Sequence, residues 1–410
     1  MRLLIFIALI FAFDFYVFQA FKIVGQNWSA GLKNVVYTLY WLVPVATAGF
    51  IFLLAYGDPD AWNKNVLTII RSFLIILYMS KFLVAAILVV DDLRRLSLVA
   101  YDNIAGSGSF DAGRSKFLSQ FALILGAIPF FSLTYGILRN PYRYRVFREK
   151  IKLSKLPKAL EGLKIIQISD IHSGSFTMKD PVKNAINLIN EQKPDLVFFT
   201  GDLVNNVAAE MEPFVDVFDK IEAKHGVYSV LGNHDYGDYV RWNSIDDKRQ
   251  NLENLKETHR KMGWQLLLND NQMLNINDHQ VAVIGVENYS AHPRFPKYGD
   301  LNKATEGTDN AHLKLLLSHD PSHWEDQVTQ VFKDIAITFS GHTHGMQFGI
   351  EIPGWLKWSP IQYVYKQWAG LYQKNEQYLY VNRGLGFLGY PGRVGILPEI
   401  TVIELETAEV

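Results

Sequence analysis

The first third of the chain is built from four long apolar runs, at residues 3–24, 35–56, 66–90 and 117–138. Each reaches the roughly 20 residues that a helix needs to cross a bilayer. The spacers carry turn and charge signals: Gly57, Asp58, Pro59 and Asp60 after the second run, Asp91, Asp92, Arg94 and Arg95 after the third. The first run is long for a signal peptide, has no clear small-residue cleavage site and is followed by three more spans. It therefore reads as a membrane helix. Asp14 and Lys81 fall near the middles of the first and third spans. Intramembrane charge is costly. Two readings stand: a helix–helix ion pair, or a shorter, tilted span that leaves the charge at an interface.

After Pro157 the pattern changes. Short apolar runs of strand length lie at 163–169, 196–200, 227–231, 281–286, 313–318, 335–340, 378–381 and 400–405. Helical stretches are predicted at 180–192, with Asp180 as cap and Pro181 in the first turn, and at 211–223, 244–262 and 324–332. Strands alternating with helices predict an α/β domain. The expected organisation is a four-span α-helical transmembrane bundle at 1–138, a basic juxtamembrane linker at 139–158 and an α/β domain at 159–410.

Charge sharpens this division. The whole-chain net charge of −1 and mean hydropathy of +0.03 are averages over two unlike parts. Residues 1–158 hold 18 Lys/Arg against 8 Asp/Glu, whereas residues 159–410 hold 22 against 33. An acidic soluble part argues against a nucleic-acid partner, because phosphate backbones attract basic surfaces. With no cysteine, disulfides, thiolate zinc sites and cysteine nucleophiles are excluded. Basic loop residues orient a membrane bundle. The side holding both ends of the bundle carries Arg2, Lys64, Arg139, Arg143, Arg145, Arg148, Lys150, Lys152 and Lys155; the other carries Lys33, Arg94, Arg95, Arg114 and Lys116. The bias favours a cytoplasmic second part, against which the third loop sets four opposing charges, and the cluster following the fourth span suits anionic lipid headgroups.

The chemistry sits just past the predicted strands. Asp170 and His172 follow the first, Gly201 and Asp202 the second, and Gly232, Asn233, His234 and Asp235 the third. His319 follows the strand at 313–318, and Gly341, His342, Thr343 and His344 follow that at 335–340. All eleven histidines lie at or after His172. Open α/β sheets place sites at strand carboxyl ends, and residues two apart on extended chain point the same way. A lone Asp-x-His or Gly-Asp is weak evidence, being most often a surface turn. The ordered series is strong. Carboxylate, imidazole and amide oxygen suit Mn, Fe, Zn, Co or Ni. Seven candidate ligands exceed what one tetrahedral ion takes, and two ions about 3.5–4 Å apart, bridged by one carboxylate, would use them.

On these motifs residues 163–405 resemble the calcineurin-like metallophosphoesterase superfamily. The segment Asn382, Arg383, Gly384, Leu385, Gly386, followed by Pro391, Gly392 and Arg393, resembles its bacterial membrane-associated branch. The resemblance implies a β-sandwich of two mixed sheets flanked by helices. It implies two divalent metal ions, the first held by Asp170, His172 and His344, the second by Asn233, His319 and His342, with Asp202 bridging. It makes His234 a catalytic residue over the leaving-group oxygen rather than a ligand. Asp235 reads either as electrostatic support for His234 or as a turn or cap residue, the second being preferred. Met346 stands where relatives often have glycine. The implied activity is hydrolysis of a phosphodiester, pyrophosphate or phosphomonoester by a metal-activated water, at a bacterial inner membrane, with lipid-linked substrates such as UDP-diacylglucosamine among those implied. A phosphoprotein or cyclic-nucleotide phosphatase is the same-class alternative. A catalytically silent membrane sensor or scaffold is the alternative of another class, against which the complete ligand set and His234 argue.

Residues 349–372 are unusually aromatic, with Trp355, Trp358, Tyr363, Tyr365, Trp368 and Tyr372. They read either as a packed hairpin core or as a flap toward the bilayer, since Trp and Tyr favour interfaces. Arg383 and Arg393 read either as phosphate contacts or as structural ion pairs.

Overall fold

The computed structural model describes residues 1–58, 62, 64–105, 112–352 and 354–408, which form two compact units, Met1–Tyr135 and Gly136–Val410. Pro59 and Asp60, assigned to a turn from sequence, lie outside the described residues.

In the first unit, helices α1 (Arg2–Val24), α2 (Ala30–Tyr56), α3 (Lys64–Ala105) and α4 (Ala112–Arg139) are each long and apolar enough to cross a membrane. The Ser29 hydroxyl caps α2 by accepting from Leu32 N. Helix α3 corrects the sequence reading, because it runs on past Val90 through the expected spacer. Asp91 accepts from Arg94 and Arg95, three and four residues on, and such pairs hold a charged turn in helix.

The Asp14–Lys81 question resolves as an ion pair between α1 and α3, both residues buried. Tyr78 donates to Asp14 Oδ2 (2.9 Å), and the Tyr40 hydroxyl donates to Asp14 O (2.7 Å) with Oδ1 3.1 Å away, so the carboxylate is enclosed by partners. Lys81→Ala leaves that carboxylate buried without its cation. A loss on the order of 3–5 kcal/mol is expected, read as a lower unfolding midpoint in detergent and restored in part by Asp14→Asn in the same chain. An unchanged midpoint for the single variant would show that the pair is not structural.

The second unit is a sandwich of two six-stranded sheets. The first has the order β1 (Arg145–Leu153), β14 (Glu399–Thr407), β2 (Lys164–Ile168), β3 (Leu196–Phe199), β4 (Val227–Ser229), β5 (Gln265–Leu266). The second has β12 (Gly370–Lys374), β13 (Gln377–Val381), β9 (Ile337–Ser340), β8 (Leu313–Leu317), β7 (His279–Gly285), β6 (Asp270–Ile276). Strand alternation sends Ile165, Phe198 and Ile403 of one sheet and Val283, Leu315 and Phe339 of the other into a shared core. The opposite face of the first sheet, with Ile166, Val197 and Phe199, is covered by α5 (Lys179–Glu191), α6 (Val215–Phe218) and α7 (Ile245–Lys261). Strands β2, β3 and β4 are mutually parallel, as are β7, β8 and β9, so their carboxyl ends share one edge in each sheet.

Two further expectations change. The segment 139–158 is not simply a linker: β1 pairs with β14 over nine residues, and Ile151 and Leu153 are buried in the shared core. Its interleaved bases mask the alternation. Three of those bases face the domain itself, Arg148 toward Gln192, Lys150 toward Glu406 and Lys155 toward Glu376. The helix expected at 211–223 is a 3-10 segment, Ala208–Phe214, followed by the single turn of α6, and Pro213 interrupts the backbone ladder there.

Candidate metal centre

Strand ends of both sheets deliver the polar residues to one place. Asp170 and His172 follow β2, Asp202 follows β3, Asn233 and His234 follow β4, His319 follows β8, and His342 and His344 follow β9. Backbone bonds tie these turns together: Asp170 N donates to Gly201 O (2.9 Å), His172 N to Asp202 O (3.1 Å) and Gly341 N to His319 O (2.9 Å). Asp170, His172, Asp202, His342 and His344 all have φ between 46° and 70°. That left-handed backbone is uncommon outside glycine, and clusters of it mark functional sites. Gly341 is required by crowding, since a Cβ there would lie 2.2 Å from Asp170 Oδ2.

The seven predicted ligands converge in two groups. Asp170, His172 and His344 offer ligand atoms within 4.8 Å of one another, and so do Asp202, His319 and His342. In the first, His344 Nε2 lies 3.2 Å from Asp170 Oδ1 and 3.0 Å from His172 Nε2. In the second, Asn233 Oδ1 lies 3.2 Å from His319 Nε2 and 2.8 Å from His342 Nδ1. Asp202 Oδ2 stands between the groups, 3.6 Å from His172 Nε2 and 3.2 Å from His319 Nε2.

Second-layer contacts fix which atoms face inward. His319 Nδ1 donates to the Thr200 carbonyl (2.7 Å), leaving Nε2 with its lone pair toward Asn233 and Asp202. The Tyr365 hydroxyl donates to Asp320 Oδ2 (3.1 Å) and so accepts from His342 Nε2 (2.8 Å), leaving the Nδ1 lone pair inward. Asn233 donates its amide hydrogen to Tyr239 (2.9 Å) and turns its oxygen inward. With these rings neutral, acceptors face acceptors at about hydrogen-bond distance in the second group, and only added positive charge, a proton on His319 or a metal ion, relieves the repulsion. This repulsive arrangement fits a cation between them, and outer contacts that orient ligands in this way are typical of metal sites.

Electrostatics give the same picture. Burial alone would raise the carboxyls of Asp170 and Asp202, yet the surrounding imidazoles hold both well below the usual carboxylate range. Burial pushes His172 down to about 3. For His319 burial opposes protonation, but the Asp202 carboxylate outweighs it and pushes the ring up to about 10. The centre therefore demands positive charge. Asp235 accepts from Gly232 N (2.9 Å), Asp202 N (2.9 Å) and Leu203 N (2.8 Å), and acts as the turn-holding residue expected of it. Burial and the nearby Asp202 push it up to about 7.

His234 differs from the convergent set. Its Nδ1 donates to Asn205 O (2.8 Å), its backbone N–H donates to Asp202 Oδ1 (2.8 Å), and it lines a cavity of about 690 Å³ that opens over both groups.

Arg383 takes its structural ion-pair reading, whereas Arg393 is held by backbone carbonyls and lies 3.3 Å from His344 Nδ1. Arg383 is buried between Glu399 and Glu351. Arg393, fully buried, donates to the carbonyls of Arg383, Gly384 and Gly386. The arginine that does line the cavity is Arg294, beside His292 and Phe295, in a loop with no strand-end signal. Asp320 and Tyr365 were also missed. Asp320 directly follows His319, and that adjacency was the available clue.

The comparisons agree with this geometry. Residues 1–141 match the family described as probable calcineurin-like phosphoesterase, transmembrane domain, and residues 163–346 match calcineurin-like phosphoesterase. The uncharacterized metallophosphoesterase YkuE of Bacillus subtilis is 31% identical over 279 residues, covering 67% of this chain and 90% of its own. A zebrafish transmembrane protein with metallophosphoesterase domain is 29% identical over 313 residues, 75% of this chain; the aligned part spans 65% of the zebrafish protein's length. A Helicobacter pylori metallophosphoesterase is 27% identical over 372 residues, 90% of this chain and 91% of its own. With four apolar helices ahead of a two-sheet domain whose strand ends gather the family's motif residues, the chain belongs to the calcineurin-like metallophosphoesterases that carry an N-terminal transmembrane domain.

Proposed function

We propose that the chain holds two divalent ions and hydrolyses a phosphodiester or pyrophosphate bond, with phosphomonoesters as the weaker class. Asp170, His172 and His344 would hold one ion, Asn233, His319 and His342 the other, and Asp202 would serve both. The observation that carries this reading is the position of Asp202 Oδ2 within 3.6 Å of an imidazole nitrogen from each group. Divalent ions in such a centre neutralise phosphoryl oxygens and acidify water. The chain's own residues do the rest. His234 Nε2, left free by the Nδ1 bond, exchanges a proton with the leaving oxygen. Arg294 offers the cavity a cation for a second phosphate oxygen. Ile361, Val364 and Leu388 give the cavity an apolar wall, which favours an amphiphilic, lipid-linked substrate of the UDP-diacylglucosamine type. The basic-loop asymmetry favours a cytoplasmic domain.

The test is hydrolysis by the full chain in detergent after metal removal and reloading with Mn²⁺, Fe²⁺, Zn²⁺, Co²⁺ or Ni²⁺. Bis-p-nitrophenyl phosphate, UDP-diacylglucosamine, cyclic dinucleotides and monoesters form the panel. Activity is expected only in reloaded protein, with the lipid-linked diphosphate ahead of the monoesters. Turnover that survives metal removal would overturn the reading.

A further inference from the structure

We infer that the hairpin of β10 (Ile350–Ile352) and β11 (Leu356–Trp358) is a membrane-contacting element that lays its outer face on the lipid surface. Its polarity is inverted. A hairpin on a soluble domain normally turns apolar residues inward and charges outward. Here the cross-strand pair Glu351 and Lys357 aims its charged ends at the domain, while the Lys357 stem stays exposed. Glu351 accepts from the buried Arg383, and Lys357 donates to the Ala369 carbonyl with its ammonium 5.0 Å from the Trp368 ring centre. The alternate residues Ile350, Ile352 and Leu356 face out, 47%, 43% and 38% exposed. Trp355 between the strands is 78% exposed and Tyr363, just beyond, 77%. A contiguous apolar patch of this kind marks an interaction surface, and Trp and Tyr are the side chains that favour the headgroup level.

The occupant follows from what anchors the hairpin's base. Gly136 and Asn140, at the carboxyl end of the fourth apolar helix, hold Arg393: Gly136 O accepts from Arg393 N (3.2 Å) and Asn140 Nδ2 donates to Arg393 O (2.8 Å). The next residue, Val394, donates to Gln347 O (2.8 Å) and accepts from Gly349 N (2.9 Å), immediately before β10. The end of a span is where a chain leaves the hydrocarbon. Two residues of backbone therefore join that point to the apolar hairpin, which puts the lipid surface within its reach. Of the six aromatic residues in this segment, read from sequence either as a packed core or as a flap, Trp355 and Tyr363 are strongly exposed, whereas Tyr365 and Trp368 are buried in the domain.

The chain has no cysteine, so single labels are direct. Nitroxide is attached to Trp355→Cys, to Ile352→Cys and to a control, Asp246→Cys, whose side chain is 87% exposed at the start of α7. Each full-length protein is reconstituted in phosphatidylcholine–phosphatidylglycerol vesicles. Both hairpin labels should collide several-fold less with a water-soluble nickel chelate, and more with oxygen, than the control label does. Chelate access equal to the control's at both positions would overturn the inference. So would spin–spin broadening that disappears on dilution with unlabelled protein, because it would assign the face to a second copy of the chain.

Discussion

Asp202→Ala is expected to empty the metal centre and abolish hydrolysis together. Asp202 is the one carboxylate that approaches both ligand groups, and its other oxygen accepts from His234 N. Its removal takes negative charge from the point where two cations would lie closest, and leaves His319 without its counter-charge. It also frees the turn that carries His234. The predicted loss is on the order of 10³-fold or more in kcat/KM, corresponding to several kcal/mol of transition-state stabilisation. Metal content per chain, measured by elemental analysis, should fall in parallel. Asp202→Asn separates shape from charge: it keeps the backbone contact and should still lose metal. A fully loaded, fully active Asp202→Ala protein would show that the two groups do not act as one centre.

The centre was legible because its residues are short-range in sequence terms. Each ligand lies within a few residues of the end of an apolar run, so strand and ligand are read in one window, as with Ser169 and Asp170 or Ser340 and His342. The four spans were legible because length and hydropathy decide them. What escaped depends on partners far away in the chain. Strand β1 pairs with β14 some 250 residues later, and its bases hide an alternation that only the partner strand and the shared core reveal. The extent of α3 escaped because Asp91 signals a break when read alone and a helical ion pair when read with Arg94 and Arg95. Tyr365 joins Asp320 and His342 from an aromatic segment with no motif of its own. Arg294 shows the same limit. The sequence drew attention to Arg383 and Arg393 through their glycines, but those side chains are enclosed by carboxylates and carbonyls, while the cavity takes its arginine from an unremarked loop. The inverted hairpin was half visible: aromatic content marked the segment, but only the pairing of Glu351 with Lys357 decides which face is outward.

His234→Ala is expected to separate binding from turnover, keeping the metals and losing the rate. The imidazole is not a member of either convergent group. Its Nδ1 is committed to the Asn205 carbonyl, so a single nitrogen, Nε2, remains to exchange a proton at the cavity. Packing supports that orientation, with the Tyr239 ring centre 4.4 Å away and the His172 ring 5.1 Å away. General-acid assistance of this kind contributes roughly 10²–10⁴-fold. That contribution depends on the leaving group. A p-nitrophenolate departs without a proton, whereas an alkoxide needs one. The variant should therefore lose most of its rate on an alkyl phosphodiester and distinctly less on bis-p-nitrophenyl phosphate, at unchanged metal content. Equal losses on the two substrates would move His234 from proton transfer to charge stabilisation of the phosphoryl group. Loss of metal would instead make it part of the ligand set, contrary to the bond that its Nδ1 makes.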